Sequence, residues 1–220
     1  GNLPKNIISI LKNCPIEYKK NYSRFNKNPN FSFSIRTSKE KVFFDNLHLS
    51  RVLMAWEIPS PREQKLIVGF EILASLLVDG RNSKLGKPLK EEENLVESIY
   101  VDVNTGEFGS LIILEASCED KNLNIVEEKI NTILKELIKL KNYKNNELKK
   151  ATRIVKSNYY FNLETASQKT SFFGNNFLWD RKNPIENLET YLKYWENKIN
   201  FQIIINFLST KKYTLLASGK

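Results

Sequence analysis

At 220 residues and 25.7 kDa, the chain can bury roughly 70% of the surface its unfolded form exposes, so a hydrophobic core is feasible in one domain or in two tightly packed subdomains. Its hydrophobic content of 41%, with 11% aromatic residues, excludes a disordered chain, which lacks the apolar surface that offsets the entropy of ordering. The net charge of +9 admits a polyanionic partner, but lysine supplies nearly all of it and recurs with Asn and Ile throughout the sequence, which disfavours a built nucleic-acid surface.

Other classes are bounded by single residue types. No run approaches the ~18 consecutive apolar residues of a membrane helix, and no signal peptide is visible. His48 is the only histidine, which excludes H-E-x-x-H, H-x-x-E-H and any two-histidine metal site from this chain alone. Beside a strand, it reads as a surface or packing residue. Cys14 and Cys118 are far apart, without Cys-x-x-Cys spacing, so neither a zinc ribbon nor a disulfide framework is indicated. A reducing, cytoplasmic setting is the simpler expectation. The chain begins Gly1-Asn2-Leu3, and Met54 is its only methionine, so it reads as a segment of a longer polypeptide.

In chain order, residues 1–30 read as an arm or linker, with a helical turn or two at Ile7–Leu11 and a loop around Pro29. Residues 31–220 read as a single α+β domain. Phe31, Phe33 and Ile35 alternate with small or polar residues, and Lys41 to Phe44 forms a second cluster. Arg51 to Glu57 has the period of a strand, and the apolar Leu53 and Ala55 on its second face place it centrally in a sheet. Ser60-Pro61-Arg62-Glu63 predicts a helix start with Ser60 as N-cap, Pro61 in the first position and Glu63 completing a capping box. The helix that follows is apolar on nearly every side through Leu77 and stops at Asp79-Gly80.

Ser83 can cap a second short helix, which Pro88 is expected to interrupt after about one turn. Ile99, Val101 and Val103 alternate in a strand, and Asn104-Thr105-Gly106 turns it into a partner running from Glu107 to Ala116. Asn122 to Leu140 is an amphipathic helix. A further helical pattern starts at Glu147 and is expected to reach Phe173, before Gly174. Leu188 to Trp195 is another short helix, and Tyr213 to Ala217 is a terminal strand. A hairpin with helices grouped after it predicts an α+β fold, an antiparallel sheet with helices packed on one face.

LLVDGRNSKLGKPLKEEENLVESIYVDV, with the strand before Ser60, resembles a region of the insulinase/pitrilysin zinc peptidase family. That region reads as a glycine-ended helix, a basic segment, L-R-E-E-x-G-L-A-Y and a strand. Glu147-Leu148 through Ala151 is similar to the family's E-L-x-x-A-K helix start, and Glu164 through Gly174 to its E-S-x-x-x-A-x-x-L-G segment. The resemblance covers roughly Val52 to Ala217. It includes the mitochondrial processing peptidases, and it implies a metallohydrolase-like domain that helps to enclose a clam-like peptide chamber.

With one histidine, the chain resembles the family's non-catalytic domain. Zinc is then expected only in the catalytic domain of the same polypeptide or of a partner subunit, in a homo- or hetero-dimer. The family's arginine and tyrosine, which assist catalysis from such a domain, fall here on Lys90 and Glu97. Lysine lacks the bidentate fork, and glutamate reverses the polarity of a phenol, so the resemblance implies at most weak substrate-binding positions there. The alternative function is a basic α+β module for nucleic acid or an acidic protein partner. It requires Lys20, Lys27, Lys84, Lys87, Lys90, Lys149 and Lys150 to share one face.

Overall fold

The apolar run after Ser60 is a helix, α2 (Gln64–Val78), and eleven of its fifteen residues are buried. In the computed structural model, which describes residues 4–13, 34–106, 109–140, 143–178 and 183–219, the chain divides into two units, Gly1–Ser32 and Phe33–Lys220. The described part of the first unit holds a short helix, α1 (Ile7–Lys12), with no buried residue. Cys14, Lys20, Lys27, Pro29, Phe31, Phe33 and Glu107, which the sequence reading used, lie outside the described residues.

In the second unit, strands β1 (Ser38–Phe44), β2 (Ser50–Ile58), β3 (Ser98–Thr105), β4 (Ser110–Cys118) and β5 (Lys212–Gly219) form one sheet in the order β1-β5-β2-β4-β3. The class is α+β, and β2 is central, as its two apolar faces predict. The sheet is antiparallel except for one pair: β5 runs parallel to β1 and antiparallel to β2, between them. A parallel pair cannot be joined by a tight hairpin, and here the chain from β2 to α7 lies between β1 and β5.

Val52, Met54, Trp56, Ile58, Ile112, Leu114 and Leu216 point into the core under the helices. Leu53, Ala55 and Glu57, the alternate residues of β2, are half-buried on the other face. The helices are α2, α3 (Leu123–Leu140), α4 (Asn145–Phe161), α5 (Ala166–Leu178), α6 (Leu188–Trp195) and α7 (Lys198–Asn206). Phe70, Ile72 and Leu73 are fully buried along α2, each stabilising the fold by about 1.5–3 kcal/mol.

Two residues fix how α2 meets its neighbours. Gly69 lets α6 and α7 approach: a Cβ there would stand 2.7 Å from Ile204 Cδ1 and 3.0 Å from Trp195 Cε2. The indole Nε1 of Trp195 donates to the Lys65 carbonyl at 2.6 Å, so this buried ring leaves no polar atom unsatisfied.

Four local expectations need correction. Helix α2 begins at Gln64 rather than Pro61, because residues 60–63 close a turn instead. The Glu63 N–H donates to the Ser60 carbonyl at 2.9 Å, and Glu63 is the N-cap. Pro88 does not interrupt the second helical segment: it lies in the first turn of a π-helical stretch, Lys87–Glu92, and the ladder continues on both sides of it, with Lys87 N–H on the Ser83 carbonyl at 3.3 Å and Leu89 N–H on the Leu85 carbonyl at 3.1 Å. Strand β4, expected to end at Ala116, runs on to Cys118, and its described part begins at Ser110. The pattern from Glu147 breaks after Phe161, and α5 then runs through Gly174 to Leu178. A Thr165–Gln168 capping box starts it anew, with Gln168 N–H on Thr165 Oγ1 at 3.2 Å and Thr165 N–H on Gln168 Oε1 at 3.1 Å.

Candidate functional site

The segment from Gly80 to Glu97 is built on the end of α2. Gly80 takes φ +78°, which an L side chain rarely adopts. The chain then folds back so that Lys84 and Leu85 N–H donate to the Leu76 and Leu77 carbonyls at 3.1 and 2.8 Å, which satisfies the helix's last acceptors. Leu85 and Leu89 are fully buried and pin the segment. Leu95 and Val96 N–H both donate to the Leu89 carbonyl, at 2.8 and 3.2 Å, and Glu97 N–H pairs with Ser117 O at 2.8 Å where β3 begins.

This places Lys90 on the exposed side of the π-helical stretch and Glu97 exposed just before β3. Neither side chain forms an ion pair among the described residues. Around them, Lys87 pairs with Glu92 at 3.3 Å, and Glu93 pairs with Lys129 of α3.

The firmest ionic contact was not anticipated. Lys84 Nζ lies 2.8 Å from Glu147 Oε2, with the two side chains 17% and 19% exposed. Glu147 also accepts the Lys144 N–H at 2.7 Å, capping α4. Burial alone would push the Glu147 carboxyl up, but the hydrogen bonds from Lys84 and from the Lys144 backbone, together with their charges, hold it below the usual carboxylate range. The glycine-ended segment and the Glu147-Leu148 helix start are thus joined through Lys84, one of the lysines that the basic-module alternative requires on a shared face. With Lys84 and Lys87 each held in an ion pair, the basic-module alternative is not favoured.

His48 is exposed in the turn before β2. Among the described residues no three His, Cys, Asp or Glu side chains group so as to hold a metal ion. Burial, and then the charges of Asp120 and Glu119, raise the Cys118 thiol to about 11, which leaves it protonated and inert.

The sheet face away from the helices is the other surface with a consistent character. Across it, Leu215, Leu53 and Glu115 are neighbours in one row, and Tyr213, Ala55 and Ile113 in the next. All six are half-buried. Arg51 donates to Glu115 at 2.8 Å at its margin.

None of the curated proteins compared matches the chain. The family description "Peptidase M16 inactive domain" matches residues 6–155, more than half of the 220. The chain belongs to the peptidase M16 inactive-domain family. Solved structures agree in fold. A protease from Helicobacter pylori superposes with a TM-score of 0.70 at 20% identity, over 82% of this chain and 44% of that one. An M16-like peptidase from Alicyclobacillus acidocaldarius gives 0.71 at 10% identity, over 83% and 44%. A chain of complex III2 from Candida albicans, with Inz-5 bound, gives 0.70 at 15% identity, over 84% and 46%.

This M16 inactive domain therefore spans less than half the length of those structures. The resemblance to a non-catalytic domain of the insulinase/pitrilysin class is borne out. No helix of the described residues is long and apolar enough to cross a membrane.

Proposed function

We propose that this M16 inactive domain is a non-catalytic wall of a peptide-binding chamber, in a peptidase or an inactive homologue. It would pack against a catalytic domain of the same polypeptide or of a partner subunit, and that domain would carry any zinc. The observation that carries this reading is the helix-free sheet face. Leu53, Ala55, Ile113 and Leu215 stay half-buried there with none of helices α2–α7 over them, a surface suited to an extended peptide or an apposed domain. The chemistry of such a wall is steric and electrostatic; Lys90 and Glu97 contribute at most long-range charge.

The test places a photoreactive benzoylphenylalanine at Ile113 on the sheet face or at Ile199, which is 81% exposed on α7, in the chain assembled with its catalytic half. A labelled substrate peptide is expected to cross-link at position 113 and not at 199. Equal labelling at both, or labelling at 199 alone, contradicts the reading.

A further inference from the structure

From Leu66 to Val78, helix α2 carries only two side chains that are neither apolar nor glycine, Glu71 and Ser75, one turn apart on one face. With Asp79 at the C-cap they line an open cavity of about 460 Å3, bordered on its other sides by α4, α5 and the free edge of β3 at Val101–Val103. That volume lies within the roughly 300–1,000 Å3 of small-molecule sites.

Two polar atoms in its wall are buried without a hydrogen-bond partner: Ser75 Oγ, on a residue 4% exposed, and Asn176 Oδ1, on a residue 6% exposed. The Asn176 amide is not free to turn, because its Nδ2 donates to the Phe172 carbonyl at 2.7 Å and leaves the oxygen as an acceptor. A buried oxygen without a hydrogen-bond partner is destabilising, which points to an occupant that donates to these two.

The charge around the cavity selects the occupant. Glu71 and Asp79 are its acidic side chains, Asp102 borders it only through the edge of β3, and no lysine or arginine lines it, in a chain whose net charge is +9. The C-terminal end of α2 adds its negative pole at the same place. Arg81 and Lys150 border a separate depression of about 90 Å3 that shares Ser75 and Asp79. Among the described residues the acidic groups do not converge as metal ligands, which favours a larger cation. Tyr159 and Phe172, edge-to-face with centroids 5.7 Å apart, give the wall an aromatic side that also attracts positive charge.

We propose that this cavity between α2, α4, α5 and the edge of β3 binds an organic cation bearing N–H donors, a guanidinium or alkylammonium group. The head group donates to Ser75 Oγ and Asn176 Oδ1 while the carboxyl groups of the wall neutralise its charge. This inference stands apart from the chamber reading and survives its failure.

The test is calorimetric titration of the whole chain with agmatine, alongside tetramethylammonium, which has the charge without the donors, and a neutral disaccharide. One agmatine per chain is expected, bound at least about tenfold more tightly than either control. Glu71→Gln with Asp79→Asn is expected to weaken binding about tenfold, and Ser75→Ala about threefold with no fall in Tm, because that change removes a buried unpartnered hydroxyl. A blocked Gly-Arg-Gly peptide identifies the source: tighter binding than agmatine assigns the head group to a peptide side chain, and weaker binding to a free diamine. No saturation below ~10 mM, equal affinity for a control, or indifference to the acidic substitutions overturns the proposal.

Discussion

Two regions flank the end of helix α2, and they treat charge in opposite ways. Beyond Gly80, the Lys87–Glu97 segment is rich in ions, but its charges are exposed or paired with neighbours: Lys87 with Glu92, Glu93 with Lys129, and Lys84 with Glu147. What holds that segment is apolar, the buried Leu85 and Leu89. Before Gly80, Ser75 is buried, and across the cavity Asn176 is buried too, each with an oxygen that has no partner. The motif region is therefore settled by its own contacts, while the cavity keeps polar groups that its own chain does not satisfy. Sequence resemblance drew attention to the first, and burial draws it to the second.

The largest way to break that contrast is at Leu89. Leu89→Ala is expected to destabilise the fold by about 2–5 kcal/mol, because the side chain is fully buried and the segment hangs on it. Urea unfolding measures it, and a change near zero would show that ions rather than Leu89 hold the segment.

A smaller effect is expected at Glu147, whose carboxyl is held low chiefly by Lys84 against the opposing effect of burial. Its folded-state pKa lies below the unfolded one, so the stabilisation is present above the ordinary glutamate range and is lost as pH falls through the lowered value. Glu147→Gln should lower stability by about 1–3 kcal/mol at neutral pH and flatten the acid limb of a Tm-against-pH curve. An unchanged acid limb would remove Glu147 as the link between α2 and α4.

The smallest effect is expected where the family places its catalytic assistants. Lys90→Ala with Glu97→Ala should shift stability by no more than about 0.5 kcal/mol, since both side chains are exposed and unpaired among the described residues. A large loss in chemical denaturation would mean that the segment is held by its charges after all.

Elements with strong periodicity were legible in the sequence: α2 from its apolar run, β2 from its two-sided alternation, the β3–β4 hairpin from Asn104-Thr105-Gly106, and α3 from its stripe. Boundaries failed where a local hydrogen bond competes with periodicity. Ser60 spends its carbonyl on a turn rather than on α2, and Thr165 with Gln168 restarts a helix that the spacing of Leu148, Val155 and Tyr159 would have carried onward. The place of β5 between β1 and β2 was not legible, because strand order is set by long-range pairing that eight residues do not encode. Of the site, the replacement of arginine and tyrosine by Lys90 and Glu97 was readable directly, whereas the Lys84–Glu147 contact joins residues far apart in the chain. The cavity had a signal that went unused: Glu71 and Ser75, polar and one turn apart in a helix otherwise apolar from Leu66 to Val78.

The central claim is that this chain contributes a wall and not a catalyst. Elemental analysis of the purified chain, paired with a peptide-cleavage assay with and without chelator, tests it most directly. The account predicts no bound zinc and no cleavage by this chain alone, while stoichiometric zinc with chelator-sensitive cleavage would contradict it.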